Sequence, residues 1–207
     1  MTYFCVFSSG SGSNFKELNK FSNNNNSKIK LKLLISNNHS CGAVNYAKKN
    51  NIQFKIFNSI LYPNPNEYIS KILLCLKQNK IDLIALAGYL KKIPDGIIEK
   101  YYRKILNIHP SLLPKFGGKG YYGMNVHKAV IASGEKKSGV TIHFIDKEYD
   151  KGPIIYQEEV PVLKSDTAEV LSSRILDVEH RVYKKVIRSL VNNNLKWIDE
   201  KIMVNEK

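Results

Sequence analysis

Apolar and polar positions alternate in blocks along the first half of the chain. Tyr3–Ser8 is a short apolar run that stops at Ser-Gly, as a buried strand does, and Ser13 or Asn14 behind it can cap a helix over Asn14–Lys20. Asn23–Lys30 is polar and turn-like. Leu31–Ile35 predicts a second strand, Cys41–Asn50 a helix and Gln53–Phe57 a third strand. A helix over Asn66–Asn79 would place Ile69, Ile72, Leu73 and Leu76 on one face. Ile81–Ala87 (IDLIALA) is apolar without a break, which suits a central parallel strand covered on both faces. A short helix at Asp95–Tyr101 and a strand at Lys104–Ile108 complete the series.

The pattern then changes. Pro110–Tyr122 is a Gly/Pro-rich loop, Asn125–Ser133 a helix, and Ser138–Ile145 with Pro153–Val160 a strand pair. Asp166-Thr167-Ala168-Glu169 resembles a capping box opening a long helix, with Leu171, Ile175, Val178, Val182 and Val186 on one face. Leu195–Val204 has room for one or two short strands. Strands alternating with helices predict an open, mostly parallel, twisted α/β sheet with helices on both faces and an antiparallel C-terminal extension. Neither an internal repeat nor a separating linker interrupts it, so 1–207 is expected to be a single domain.

Composition narrows the function class. The 207 residues are 43% apolar and 24% charged, as in a globular protein. No apolar run approaches the ~20 residues of a membrane span. The N-terminus has neither a basic leader nor an apolar segment with a cleavage site, so a cytoplasmic protein is expected. The net charge of +14 would ordinarily suggest nucleic acid. Here the basic residues are 28 Lys and 4 Arg, scattered through a chain with 21 Asn, and no basic stripe is interleaved with aromatics. Lys, Asn and Ile have A/T-rich codons, so genome composition explains the charge, and anionic small molecules fit it as well as a nucleic acid does. Cys5, Cys41 and Cys75 read as buried free thiols. Asn25-Asn26-Ser27 and Asn38-His39-Ser40 match the glycosylation pattern by chance in an Asn-rich chain.

In an open parallel sheet, ligands collect where strands end. Ser8–Asn14 (SSGSGSN) follows the first strand. It is neither a dinucleotide fingerprint, since Phe15 stands where a third glycine belongs, nor a P-loop. What remains is a small-residue turn feeding a helix N-terminus, either an ordinary capped turn or a seat for phosphate or carboxylate. Asn107 and His109 are two apart at a strand end and so share a side, an amide donor beside an imidazole able to stabilise an oxyanion and move a proton. A strand-end His can equally be structural. Asp146–Pro153 (DKEYDKGP) reads as a solvated hairpin loop, unless a carboxylate from it reaches His109 and raises its pKa.

At these places the sequence closely resembles the phosphoribosylglycinamide formyltransferases of the folate-dependent formyltransferase superfamily. The matching segments are FSSGSGSN, DLIALAGYLKKIP, ILNIHPSLLPKFGGKG, SGVTIHFIDKEYDKGPII and the Glu179-His180 pair, in the family's order. The resemblance implies a Rossmann-like fold, with a ribonucleotide half (1–109), a folate and catalytic half (110–190) and a tail (191–207). It implies that the amine of glycinamide ribonucleotide attacks the formyl carbon of 10-formyltetrahydrofolate, in de novo purine synthesis, without a metal or covalent intermediate. His109 would be general acid and oxyanion stabiliser, Asn107 its partner donor, and Asp150 would raise the His109 pKa and help relay the proton. Gly12, Ser13 and Asn14 would hold the ribonucleotide phosphate, and Gly88 and Glu179 the glycinamide or ribose. Leu90, Lys91, Lys92 and Ile93, with Asn107, would line the folate pocket.

The sequence departs from the family near Pro65, where many members carry an Arg for the folate glutamate tail; Lys91 or Lys92 is a candidate replacement. His127 and His143 match family positions but read as a helix-start or loop residue and a packed strand residue; His39 and His180 read as surface or supporting residues. A methionyl-tRNA formyltransferase would need a further C-terminal domain, and a formyltetrahydrofolate hydrolase an extra N-terminal one; neither is expected. Another formyl-folate-dependent transferase or hydrolase remains the alternative. A non-catalytic nucleotide- or nucleic-acid-binding module would leave Asn107, His109 and Asp150 unexplained. The expected partners are the two small molecules, with no nucleic acid and no membrane, in a monomer or homodimer.

Overall fold

The computed structural model describes residues 1–24, 28–192, 195–198 and 201–204. The Asn25-Asn26-Ser27 pattern lies outside them, as do parts of the two Asn runs. The chain forms two compact units, Met1–Leu106 and Asn107–Lys207.

The first unit contains β1 (Thr2–Phe7), α1 (Ser13–Ser22), β2 (Ile29–Ser36), α2 (Gly42–Lys49), β3 (Phe54–Ile56), α3 (Pro65–Gln78), β4 (Leu83–Leu86), α4 (Asp95–Lys100) and the start of β5 (Ile105–His109). Its strands lie in the order β3-β2-β1-β4-β5. Phe4 to Phe7 of β1 stand opposite Leu83 to Leu86 of β4, and β1 also pairs in parallel with β2, which pairs in parallel with β3. Every residue of β4 is buried, which is why this segment has no polar alternation. Phe4, Phe7, Phe15, Leu33, Leu34, Ile72, Leu76 and Ile84 fill the core between sheet and helices.

The second unit takes β5 from Asn107 onward, then α5 (Met124–Ala132), β6 (Lys137–Phe144), β7 (Ile154–Pro161), α6 (Ala168–Val191), β8 (Leu195–Ile198) and β9 (Lys201–Val204). The order here is β5-β6-β7, with β6 and β7 antiparallel, and β8 and β9 form an antiparallel pair. The mostly parallel open α/β sheet with antiparallel C-terminal strands is the architecture the pattern predicts.

Element ends differ where side chains compete. Neither Ser13 nor Asn14 caps α1; its N-cap is Gly12, at φ 74°, with no side-chain cap. A Cβ there would stand 2.7 Å from Ala43 Cα, so glycine is required both by the left-handed backbone and by the close approach of α2. At α6 the cap is Thr167, whose hydroxyl accepts from Val170 N–H, and not a box built on Asp166. Asp166 is taken by Arg174, which donates to both carboxylate oxygens at 2.7 and 2.8 Å. The buried face of α6 runs through Leu171, Ile175, Glu179, Val182 and Val186, so Glu179 lies on it and Val178 only partly.

Candidate active site

In the first unit, the turn after β1 is built by backbone. Ala43 N–H donates to the Gly10 carbonyl at 3.1 Å, and a Cβ at Gly42 would stand 2.7 Å from the Ser11 carbonyl oxygen. Gly12, Ser13 and Asn14 therefore open α1 in a turn held tightly on the start of α2. The first turn of α1 has no acidic residue, so no carboxylate of that turn offsets its partial positive charge. Lys16 N–H makes the first bond of the helix, to the Gly12 carbonyl.

The turn after β4 is tied to the turn after β1. Ser9 N–H donates to the Gly88 carbonyl, and Leu90 N–H donates to Ser9 Oγ, both at 3.0 Å. Gly88 has φ 67°, which lets the chain reverse there, and among the described residues, its own chain neighbours aside, no atom lies within 4 Å of the position a Cβ would take. Tyr89 packs edge-on against Phe7 and shares a hydroxyl hydrogen bond of 3.3 Å with Tyr68. Leu90, Lys91 and Lys92 are exposed and Ile93 is buried. Lys92 faces Asp95 at 3.5 Å. Pro65 is the first residue of α3, behind an Asn64 cap that accepts from Asn66 and Glu67 N–H.

In the second unit, Asn107, His109 and Asp150 converge. Asp150 Oδ2 lies 3.6 Å from His109 Nδ1, and Asn107 Nδ2 donates to Asp150 Oδ1 at 3.4 Å. Asn107 does not bond His109 directly; its shorter bond, 3.1 Å, goes to His143 Nε2. His143 Nδ1 sits 2.8 Å from the Phe144 carbonyl. A carbonyl only accepts, so Nδ1 carries a proton, and Nε2 stands between the Asn107 amide and, at 3.5 Å, Asp150 Oδ1. His109 Nε2 likewise donates to the Phe116 carbonyl at 2.7 Å, which leaves Nδ1 facing Asp150. Gly118 N–H donates to Asp150 Oδ2 at 2.8 Å.

Asp150 acts on His109 in the expected direction, but the net shift is the opposite one, because burial outweighs it. The carboxylate does push the imidazole pKa up, as does the Phe116 carbonyl. Burial pushes it down more strongly, His143 adds to that, and His109 ends below its ordinary value. Near neutral pH the ring is therefore neutral, with an open proton site at Nδ1. For Asp150, burial works against the charge, but His143, His109 and Gly118 N–H outweigh it and hold the carboxyl below the usual range. Asp150 also has φ 56°, a left-handed conformation that Asp tolerates better than most side chains.

The exit loop is clamped in place. Thr141 Oγ1 donates to the Ser111 carbonyl at 2.6 Å and accepts from Leu113 N–H at 3.0 Å. Gln157 Nε2 donates to the Leu113 carbonyl at 2.9 Å. Thr141, His143 and Gln157, and the main chain of Phe116 and Gly118, are contributors that the sequence reading did not assign to the site. Thr141 and His143 left one signal: polar residues at alternate positions of a buried strand share a face. His143 is a packed strand residue, as read, yet it also orients Asn107. His127 is the fourth residue of α5 and buried, and Glu179 is buried on α6. His39 is exposed. Among the described residues, no group of three or more His, Cys, Asp or Glu could hold a metal ion, and no helix is long and apolar enough to cross a membrane.

The formyl transferase family model matches residues 3–187. The chloroplastic phosphoribosylglycinamide formyltransferase of Vigna unguiculata is 45% identical over 93% of this chain, which spans 62% of that protein's length. The phosphoribosylglycinamide formyltransferase of Bacillus subtilis is 34% identical, over 94% of this chain and 97% of its own. The crystal structure of the Anaplasma phagocytophilum phosphoribosylglycinamide formyltransferase superposes with a TM-score of 0.87 at 34% identity, covering 99% of this chain and 94% of that one.

Proposed function

The chain belongs to the formyl transferase family, and we propose that it carries the formyl group of 10-formyltetrahydrofolate to the amine of 5′-phosphoribosylglycinamide, giving the N-formyl ribonucleotide and tetrahydrofolate, as a step of purine synthesis. The observation that carries this reading is the convergence of Asn107, His109 and Asp150 within the second unit of a family member.

In this reading the substrate amine forms a bond to the formyl carbon, and the carbonyl electrons move to oxygen. The Asn107 amide turns from its long contact with Asp150 to the developing oxyanion, which its bond to His143 leaves it free to do. The amine's proton passes to His109 Nδ1, where Asp150 stabilises the imidazolium. The intermediate then collapses, the bond to the folate nitrogen breaks, and His109 returns the proton to that nitrogen. His109 is thus an acid only after acting as a base, which follows from its lowered pKa.

Gly12, Ser13 and Asn14 hold the phosphate in this proposal, supported by the acid-free start of α1. Gly88 and Glu179 contact the glycinamide or ribose, and Leu90–Ile93 with Asn107 take the formyl-folate, Lys91 or Lys92 meeting its glutamate tail. The division into 1–109, 110–190 and 191–207 within a single domain belongs to the same reading. So does a cytoplasmic monomer or homodimer, with which the three buried free cysteines are compatible.

The test follows absorbance of formyl-folate with and without the ribonucleotide. Consumption that requires the ribonucleotide is expected. Consumption without it would make the protein a hydrolase, and none from folded protein would overturn the proposal.

A further inference from the structure

The four turns that follow β1, β2, β3 and β4 are joined by side-chain hydrogen bonds in the order in which those strands lie. Asn58, after β3, donates its amide to the Asn37 carbonyl, after β2, at 3.2 Å. Ser9, after β1, donates its hydroxyl to Asn37 Oδ1 at 2.5 Å. Leu90 N–H, after β4, donates to Ser9 Oγ at 3.0 Å, while Ser9 N–H donates back to the Gly88 carbonyl. Asn58 Oδ1 closes its own turn by accepting from Ile60 and Leu61 N–H. Ser9 is buried, and its hydroxyl accepts from one neighbouring turn and donates to the other, a pair of roles that an apolar side chain cannot fill.

We propose that Ser9 is a positioning residue: through Leu90 and Asn37 its hydroxyl sets where the 90–93 segment stands relative to the turn at 9–14. This rests on the reading of 90–93 as the formyl-folate side and of 12–14 as the phosphate side. The two sides differ in what else holds them. The phosphate turn has the Ala43 to Gly10 bond and the close approach of Gly12 and Gly42 to their neighbours. Gly88 keeps its bond from the Ser9 main-chain N–H, whereas Leu90 has the Ser9 hydroxyl and, beside it, the Tyr89 contacts. Loss of the Ser9 hydroxyl therefore loosens the formyl-folate side first.

The experiment is steady-state formyl transfer by the full chain with each substrate varied, in wild type, Ser9→Ala, Asn37→Ala and the double variant. Ser9→Ala is expected to raise the formyl-folate KM about five-fold, with the ribonucleotide KM and kcat within about two-fold of wild type. Asn37→Ala moves the same KM in the same direction, and the double variant is no worse than Ser9→Ala, since the bond that Asn37→Ala removes is one of the two that Ser9→Ala removes. An unchanged formyl-folate KM, equal rises in both KM values, or additive effects would each overturn the proposal. Should Ser9→Ala fail to fold, Asn37→Ala decides it alone by the same KM split. Inactive wild-type protein would overturn the parent reading and this proposal with it. Active wild-type enzyme with unaltered variants overturns this proposal only.

Discussion

At the residue scale the site turns on a neutral imidazole beside a charged carboxylate. His109→Ala is expected to lower kcat by about 10²–10⁴-fold, the usual size of acid–base catalysis, with ribonucleotide binding retained; a calorimetric titration beside the rate assay checks both. The pH profile carries a sign. If His109 must be neutral to accept the proton, activity falls as pH drops through its lowered pKa. Asp150 raises that pKa, so Asp150→Asn should move the acidic limb of kcat/KM to lower pH while reducing the rate. An unmoved limb would remove Asp150 from this role. The limb reports His109 and Asp150 together rather than one residue. The Asn-x-His spacing was legible in the sequence because residues two apart on a strand share a side. The approach of Asp150, 43 residues from Asn107, was not, and rested on the resemblance alone. Nor was the direction of the His109 pKa, because burial decides it and burial is a property of the packed unit.

At the element scale, strands and helices follow the hydrophobic pattern closely, and the misreadings sit at their ends. Ser13 and Asn14 are good capping residues in isolation, but the close contact with α2 demands glycine at position 12. Gly12→Ala should therefore cost more than about 1 kcal/mol of stability and raise the ribonucleotide KM, readable by denaturant titration and kinetics. Within α5, His127 is 4% exposed and its Nδ1 has no hydrogen-bond partner among the described residues. Burial, and then the charge of His109, push its pKa down to about 4. Its folded pKa thus lies below the unfolded value of about 6.5, so its contribution to stability is complete above that value and is lost as pH falls towards 4. The total is on the order of 3 kcal/mol. Urea midpoints compared near neutrality and at about pH 5 should fall less in His127→Gln than in wild type. Equal falls would show that His127 is not the group being charged.

At the scale of the whole molecule, alternating strands and helices were enough to place the chain among parallel α/β proteins, and the late strand pair was visible as two apolar runs about a charged loop. The order β3-β2-β1-β4 was not readable, since it depends on which edge each crossover returns to. That order matters, because it puts the turns after β1 and β4 side by side and lets Ser9 join them. The charge of +14 is reinterpreted accordingly. Both proposed substrates are anions met by a few local donors, so raising salt should lower kcat/KM mainly through KM, as screening tightens from about 10 Å at 0.1 M to about 3 Å at 1 M. A salt-independent KM would mean the basic surface plays no part in capture. The most direct test of the central claim uses formyl-folate labelled in the formyl carbon. The account predicts that wild-type protein places the label on the amine nitrogen of the ribonucleotide and that His109→Ala does so far more slowly. Label released as free formate, or transferred equally well by His109→Ala, would contradict it.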